Sequence, residues 1–209
     1  MQIKNKIIFH IIILINLFIF NSNISADEFN IKAKEILVDK ENEILIGTGS
    51  VEATDSQGRL INAEKITYEK SREFLLAENK VKITDLEGNI LETDKASYDK
   101  INEIIITYDS TKLLLKEGYQ LIAKNISYEM DKKILSSDEN SIIRDNDGNI
   151  IKTNMFRYDI ENNLLSSLGE IQILDIKKNK YFFKELHINT KDKEMIGSDV
   201  SVVLDQKNF

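Results

Sequence analysis

The chain has 209 residues, 28 of them basic and 35 acidic, which gives a formal net charge of −7. A chain this acidic lacks the basic stripe that coats a nucleic-acid backbone and the polybasic patch that holds proteins on anionic lipid headgroups. It contains no cysteine, so disulfide bonds and cysteine-based metal sites are excluded. A domain of this length can be stabilised by packing and hydrogen bonding alone.

The N-terminus has the pattern of a secretory signal peptide. Two lysines precede an apolar run from Ile7 to Phe20, and a short polar segment ending at Ala26 follows. The run has fourteen residues, fewer than the roughly 20 that cross a bilayer as a helix. We therefore expect a signal peptide over residues 1–26 and a secreted domain over residues 27–209. An uncleaved N-terminal anchor is the alternative.

A thirty-residue repeat occupies the rest of the chain. A tyrosine and a glycine each recur four times at this interval, and an acidic residue follows every one of these tyrosines. The same frame extends back to Val38 and forward to Met195, so the chain holds nearly six units. The repeated columns are Tyr68, Tyr98, Tyr128 and Tyr158, and Gly58, Gly88, Gly118 and Gly148.

Each unit reads as two β-strands. In Leu60–Tyr68 apolar and polar residues interleave, with a phase slip near Glu64 that predicts a β-bulge. Residues 69–72 form a short polar turn, a second alternating segment covers residues 73–84, and Asp85–Asn89 is a turn with glycine. The pattern predicts an all-β fold: an elongated, twisted, antiparallel double layer such as a jelly roll, built from stacked two-strand units. A β-solenoid is the near alternative.

Nothing in the sequence points to catalysis. Outside the predicted signal peptide the one histidine is His187, in a strand column of mostly polar residues, and we interpret it as surface-facing. The segment Asp145–Asn149 lacks the spacing and the closing glutamate of a calcium loop, so we interpret it as a hairpin turn. We therefore predict no enzyme activity, no metal site and no cofactor.

One short pattern, a Gly-x-Val strand, a turn and an Ala-(Asp/Glu)-Lys-x-x-Tyr strand, is present in Ile46–Val51, Asp55–Gly58 and Ile61–Tyr68, with looser copies at Ala77–Val81 and Leu168–Ile171. This pattern resembles the core of the OstA-like domain, the family of the lipopolysaccharide transport proteins LptA and LptC and of the N-terminus of LptD. The resemblance covers residues 27–209, and residues 197–209 look like the stretch after which LptD proteins continue into their outer-membrane barrel. The chain is thus most similar to the LptD N-terminal domain with the barrel missing, and a stand-alone bridge like LptA remains the alternative.

The resemblance implies a physical mechanism. Members of the family are twisted β-jelly rolls joined edge to edge, and the acyl chains of lipopolysaccharide would lie in their apolar groove with the sugars outside. The implied partners are lipopolysaccharide and other Lpt components, namely an LptA-like bridge or the outer-membrane barrel or its lipoprotein plug. They would dock by β-strand augmentation, in the periplasm and associated with the outer membrane. A structural β-solenoid, such as an adhesin stalk with a filled interior and no lipid, is the competing interpretation.

The groove-lining candidates are the columns that are apolar in nearly every unit, which also include Ile151 and Ile173. In an ordinary core the same columns would pack against one another, and the tyrosines would form a cross-strand ladder. The candidates are Ile61, Ile66, Tyr68, Leu75, Ile83, Leu91, Tyr98, Ile105, Leu113, Leu121, Ile126, Tyr128, Leu135, Ile143, Phe156, Tyr158 and Leu165.

Overall fold

The computed structural model describes residues 29–116 and 118–205, so the predicted signal peptide lies outside the described residues. The fold is all-β with antiparallel strands, as expected, and one 3₁₀ turn covers Lys70–Arg72. Within the described part of the chain, no helix has the length and apolar character to cross a membrane. The strands are β1 (Asn30–Lys32), β2 (Glu35–Asp39), β3 (Ile44–Thr54), β4 (Leu60–Glu69), β5 (Phe74–Thr84), β6 (Ile90–Asp99), β7 (Ile104–Leu114), β8 (Gln120–Lys124), β9 (Ser127–Glu129), β10 (Ile134–Ser137), β11 (Ser141–Arg144), β12 (Ile150–Thr153), β13 (Phe156–Asp159), β14 (Leu164–Leu174), β15 (Lys180–Asn189), β16 (Glu194–Ser198) and β17 (Ser201–Val203).

The strands form one sheet. Strands β3 to β7 each pair with the strands before and after them in the chain. The shorter strands skip a chain neighbour: β8 pairs with β7 and β11, and β9 pairs with β7 and β10. Irregularities near the middle of the strands bend this sheet. The register of β4 against β5 shifts between Asn62 and Lys65, which confirms the bulge predicted near Glu64. Elsewhere the irregularity divides a strand in two, as between β8 and β9 or between β10 and β11. Each long strand, or each pair of short strands in its place, therefore has two halves. The two halves lie in the two layers of the folded sheet.

Two kinds of turn alternate along the chain. The first, which we call the Gly turn, is shown by Asp85–Asn89: the Gly88 N–H donates to the Asp85 carbonyl at 3.2 Å, and Gly88 has φ +93°. The Asp85 carboxylate accepts the Asn89 N–H at 2.8 Å. The second turn spans four residues and ends on a left-handed residue such as Glu103, φ +52°. One turn of each kind and two strands make up the thirty-residue unit.

Two continuous rows of apolar side chains run across the sheet, one in each half of the strands. Strand pairing aligns their members directly opposite one another, so the columns of Tyr68 and Leu75 alternate along one row and the columns of Ile61 and Ile83 alternate along the other. The Tyr row is Val38, Leu45, Tyr68, Leu75, Tyr98, Ile105, Tyr128, Leu135, Tyr158, Leu165, Ile188 and Met195. The Ile row is Ile31, Ala53, Ile61, Ile83, Leu91, Leu113, Leu121, Ile143, Ile151, Ile173, Tyr181 and Val202.

The interior between the two rows contains two buried clusters. One extends from Phe29 to Ile105 and the other from Leu113 to Leu186. Leu91 and Tyr128 are partly buried and pack against both clusters. The interior is therefore continuous in contact but falls into an N-terminal half and a C-terminal half.

Buried hydroxyl groups line the bend of the sheet. Thr111 donates to Thr107 Oγ1 at 2.7 Å, and Thr107 Oγ1 accepts the backbone N–H of Ile126 at 3.0 Å. Ser167 donates to the Met155 carbonyl at 2.8 Å. Since a bulge removes ladder hydrogen bonds, these hydroxyls supply partners to backbone groups that the bend would otherwise leave unpaired.

Candidate functional site

A cavity of about 410 Å³ lies in the C-terminal half of the interior. Its walls are apolar side chains from both rows, which face each other across the space between the two layers. The Tyr row contributes Leu135, Tyr158, Leu165, Ile188 and Met195, and the Ile row contributes Leu113, Leu121, Ile143, Ile151, Ile173 and Tyr181.

Phe156 and Phe183 close the inner end of the cavity, near the bend. Both are buried, with 2% and 8% of their surface exposed. At the opposite end the side chains become polar and more exposed, because three Gly turns and the turn after β15 meet there. The cavity is thus an apolar pocket with a polar rim, the form that ligand sites in proteins usually take.

The carboxylates of the rim are held in place by their own turns. Asp175 accepts the Asn179 backbone N–H at 2.8 Å and the Tyr181 hydroxyl at 3.1 Å. Desolvation raises the pKa of Asp175, but the hydrogen bonds from Asn179 and Tyr181 outweigh it and lower the pKa below its ordinary value. Asp175 is therefore ionised at neutral pH. The Asp145 carboxylate accepts the Asn149 backbone N–H at 2.8 Å, which fixes its position in the turn.

One ion pair crosses the opening. Lys193, in the turn after β15, lies 3.9 Å from the Asp147 carboxylate, and both side chains are largely exposed. A pair this exposed is worth little to stability because water screens it. The two sides of the opening are therefore only weakly held together at this end.

The N-terminal half of the interior is filled. The ring of Phe29 packs edge-on against Tyr68, with centroids 5.2 Å apart, and against Tyr98 at 5.9 Å. Leu75 between these two tyrosines in the Tyr row is 1% exposed. Aromatic packing of this kind occupies the space that remains open in the C-terminal half.

An arginine closes this filled half from outside. Arg59 Nε pairs with Asp55, its Nη2 donates to the Tyr98 hydroxyl at 3.0 Å, and its Nη1 contacts Met130 Sδ. We call these four residues the Arg59 clasp. The Arg59 and Asp55 side chains are only 13% and 4% exposed. Burial raises the pKa of the Tyr98 hydroxyl, and the nearby Arg59 charge partly opposes that shift.

The structure places the seventeen predicted residues in the interior but divides them between its two halves. Seven line the cavity: Leu113, Leu121, Leu135, Ile143, Phe156, Tyr158 and Leu165. Another seven lie in the filled half: Ile61, Ile66, Tyr68, Leu75, Ile83, Tyr98 and Ile105. Leu91 and Tyr128 contact both clusters, and Ile126 is buried in the C-terminal cluster without lining the cavity.

Sequence reasoning missed the rim, the clasp and part of the cavity wall. The missed wall residues include Tyr181, Phe183 and Ile188, which belong to the last unit, where the repeat columns are least regular. The clasp had a signal in the sequence. Of the five Gly turns, three end on Asn, the third ends on Tyr119, and the first ends on Arg59, the one cation in this column.

The remaining sequence interpretations concern polar residues. His187 lies on β15 with its ring between Ser166 and Glu185, on the outer side of the strand and 38% exposed, as predicted. Asp145–Asn149 is the predicted hairpin turn. Across residues 29–116 and 118–205, no group of three or more His, Cys, Asp or Glu side chains is placed to hold a metal ion.

No protein-family model and no curated protein matches the chain. Among solved structures, it is similar to LptH of Pseudomonas aeruginosa, the LptA-homologous periplasmic component of its lipopolysaccharide transport device. The identity is 9%, covering 86% of this chain and 96% of LptH, with a TM-score of 0.26. It is also similar to the TCP10 domain of Danio rerio CPAP, at 11% identity over 82% of this chain and 100% of that domain, with a TM-score of 0.15.

Proposed function

We propose that this chain is a periplasmic module of lipopolysaccharide transport that holds lipid acyl chains between the Tyr row and the Ile row. The observation that carries the proposal is the apolar cavity of about 410 Å³ in the C-terminal half. A folded sheet with a purely structural role would fill this space with side chains, as it does around Phe29 in the other half. An open apolar space is maintained at a cost in packing, which favours a ligand.

The mechanism is physical. An acyl chain that leaves water for this cavity gains about 25 cal/mol per Å² of apolar surface buried. The polar part of the lipid stays at the rim, where carboxylates and amides meet solvent. Movement of the lipid along the interior then needs a gradient or an energy source supplied by other components.

The partners would dock at the two edges of the sheet. Among the described strands, β1 and β2 pair only with β3, and β16 and β17 pair only with β15. Both edges expose apolar side chains, for example Leu37 at 61% and Ile196 at 74%. Such edges are templates for a strand from another chain, so we propose β-augmentation with other Lpt components: an LptA-like bridge, or the outer-membrane barrel or its lipoprotein plug.

Two finer assignments belong to the same proposal. The N-terminal residues 1–26 support secretion into the periplasm as a signal peptide, with the domain in residues 27–209. The resemblance of residues 197–209 to the corresponding part of LptD supports an LptD-type N-terminal domain, associated with the outer membrane. A stand-alone bridge like LptA is the other form that the proposed function can take.

Site-specific photo-crosslinking in cells tests the proposal. A photoreactive phenylalanine analogue would replace Leu165 or Leu121, both in the cavity wall, and Lys95 on the outer surface as the control. We expect lipopolysaccharide adducts at the two cavity positions and none at Lys95. If a folded, secreted protein gave no adduct at either cavity position, lipid transport would be rejected and a structural repeat would remain.

A further inference from the structure

The rim of the cavity has an uneven charge. Three carboxylates line it, from Asp145, Asp147 and Asp175, against the single ammonium group of Lys193. Lys177 and Lys178 lie in the same Gly turn as Asp175, but they are exposed and do not line the cavity. The rim is therefore net negative where a ligand headgroup would lie, and the hydrogen bonds to Asp175 and Asp145 keep these carboxylates in fixed positions.

The rest of the rim consists of neutral hydrogen-bonding groups. Tyr119, Gln120, Asn149 and Thr190 line the cavity beside the carboxylates. An ionised carboxylate accepts about four hydrogen bonds, and Asp145 uses two of these for Asn149, one on each oxygen. The rim thus offers free acceptor positions next to neutral groups, a combination that suits the hydroxyl donors of an uncharged polar headgroup.

A negatively charged headgroup meets the opposite conditions. A phosphate at about 4 Å from one carboxylate loses roughly fivefold in affinity even in bulk water, and more where solvent is partly excluded. A single lysine, already beside Asp147, does not compensate for three carboxylates. The apolar walls accept any alkyl chain, so the headgroup at the rim decides which amphiphile binds.

We propose that the acidic rim makes the cavity selective for acyl chains attached to an uncharged, hydroxyl-rich headgroup such as a sugar, and that it rejects chains with a phosphate directly at the mouth. This inference rests on the proposed function and deepens it. In a lipid with both sugar and phosphate groups, the sugar lies at the rim and the phosphate lies beyond it.

Binding of matched amphiphiles to the purified full-length protein tests the inference. Dodecyl maltoside and dodecyl phosphate carry the same alkyl chain, and each is titrated calorimetrically below its micelle concentration at low salt. We expect the maltoside to bind at least about tenfold more tightly, with a smaller difference at high salt. Equal affinities for the two amphiphiles in the unmodified protein would overturn the inference and leave the proposed function standing.

Two variants that each remove one negative charge test whether the rim carboxylates cause the selectivity. Asp147→Asn removes an exposed rim carboxylate and should narrow the difference in affinity by about fivefold. Asp94→Asn, on the outer side of the bend in β6, is the matched control and should leave the difference unchanged. An unchanged difference in Asp147→Asn contradicts the inference, whereas no binding of either amphiphile to any variant rejects the proposed function itself.

Discussion

Arg59 donates a hydrogen bond to the hydroxyl of Tyr98 at 3.0 Å, and its guanidinium carbon lies 4.9 Å from the centre of the Tyr98 ring. This contact joins the first Gly turn to the Tyr row over the filled half of the interior. At the opening of the other half, the described residues form the exposed Lys193–Asp147 pair. The same repeat therefore forms a closed half and an open half, and the difference depends on a few side chains.

We expect the removal of Arg59 from the Arg59 clasp to lower the free energy of unfolding strongly. Arg59→Leu leaves the Asp55 carboxylate, 4% exposed, without its counter-charge. Breaking a buried ion pair in this way costs about 3–5 kcal/mol. Urea unfolding followed by circular dichroism should show a loss of unfolding free energy in this range.

Two variants check that burial is the cause. Lys32→Ala breaks an ion pair with Glu52 whose lysine is 71% exposed, and should cost less than about 1 kcal/mol. Adding Asp55→Asn to Arg59→Leu removes the unpaired charge but keeps a turn acceptor, so part of the stability should return. A cost for Arg59→Leu as small as that of Lys32→Ala would contradict a buried pair.

The two halves should differ in their tolerance of a larger side chain. Leu75→Phe adds volume to a packed region around a residue 1% exposed, and should cost about 1–3 kcal/mol. Leu165→Phe places the same ring toward the cavity, so the change in unfolding free energy should stay below about 1 kcal/mol. Equal losses in paired urea unfolding experiments would mean that the cavity wall is as tightly packed as the other half.

The column of Gly turns contains one exception, and it predicts a stabilising substitution. Lys178 has φ +67°, at the position where the preceding units have glycine. Because a left-handed conformation costs an L-residue about 1–2 kcal/mol, Lys178→Gly should raise the melting temperature, with a net gain of up to about 1 kcal/mol. Calorimetry would measure the shift.

Two further substitutions in these turns separate the effect of the left-handed backbone from the flexibility that a glycine adds to the unfolded chain. Gly88→Ala should destabilise by about 1 kcal/mol through the backbone alone, since an added Cβ at Gly88 meets no atom within 4 Å. Lys177→Gly, at the preceding position, should destabilise slightly because it only adds flexibility to the unfolded chain. A lower melting temperature for Lys178→Gly would show that the left-handed backbone costs little there.

In the second kind of turn, a carboxyl group with a lowered pKa makes the stability of the protein depend on pH. Hydrogen bonds from the side chain and the backbone N–H of Asn102 lower the pKa of Asp99 below its ordinary value. A carboxyl whose pKa is lowered on folding adds stability above its unfolded pKa of about 3.9, and this stability is lost as the pH falls through the folded pKa. Asn102→Ala should therefore raise the Asp99 pKa toward the ordinary value.

An NMR titration of the side-chain carboxyl carbons would measure this change, and the same spectra contain the control. Asp159 has an equivalent turn with Asn162, whose side chain donates to it at 2.9 Å, and its pKa should not move in Asn102→Ala. If the Asp99 pKa were the same in Asn102→Ala as in the unmodified protein, the backbone N–H of residue 102 alone would account for the lowered pKa.

The strand pattern could be predicted from sequence because the signals are local. Alternation over Leu60–Tyr68 gives a strand with one buried face, and the phase slip near Glu64 gives the bulge found between Asn62 and Lys65. Equal spacing of the tyrosines places them in one row, because antiparallel neighbours with constant turn lengths keep a constant register.

The division of the interior could not be predicted in this way. Tyr98 and Tyr158 occupy the same column, yet one is covered by Arg59 and the other lines a cavity and lies 3.2 Å from Thr190 Oγ1 through its hydroxyl. The difference arises from Phe29 and from Arg59, which reach the row from positions outside the column. Packing between layers depends on such non-local contacts. The repeat marks Arg59 as a departure in its own column, but it does not show which residues Arg59 contacts.

The pairing of successive strands across the sheet also fixes the length of the interior. Neighbouring strands are about 4.8 Å apart, so each two-strand unit lengthens the space between the Tyr row and the Ile row by roughly 10 Å. Insertion or loss of a whole unit preserves the phase of both rows, whereas a one-residue change inside a strand puts a polar residue into them. The distance that such a domain spans can therefore change in steps of one unit without disturbing either row.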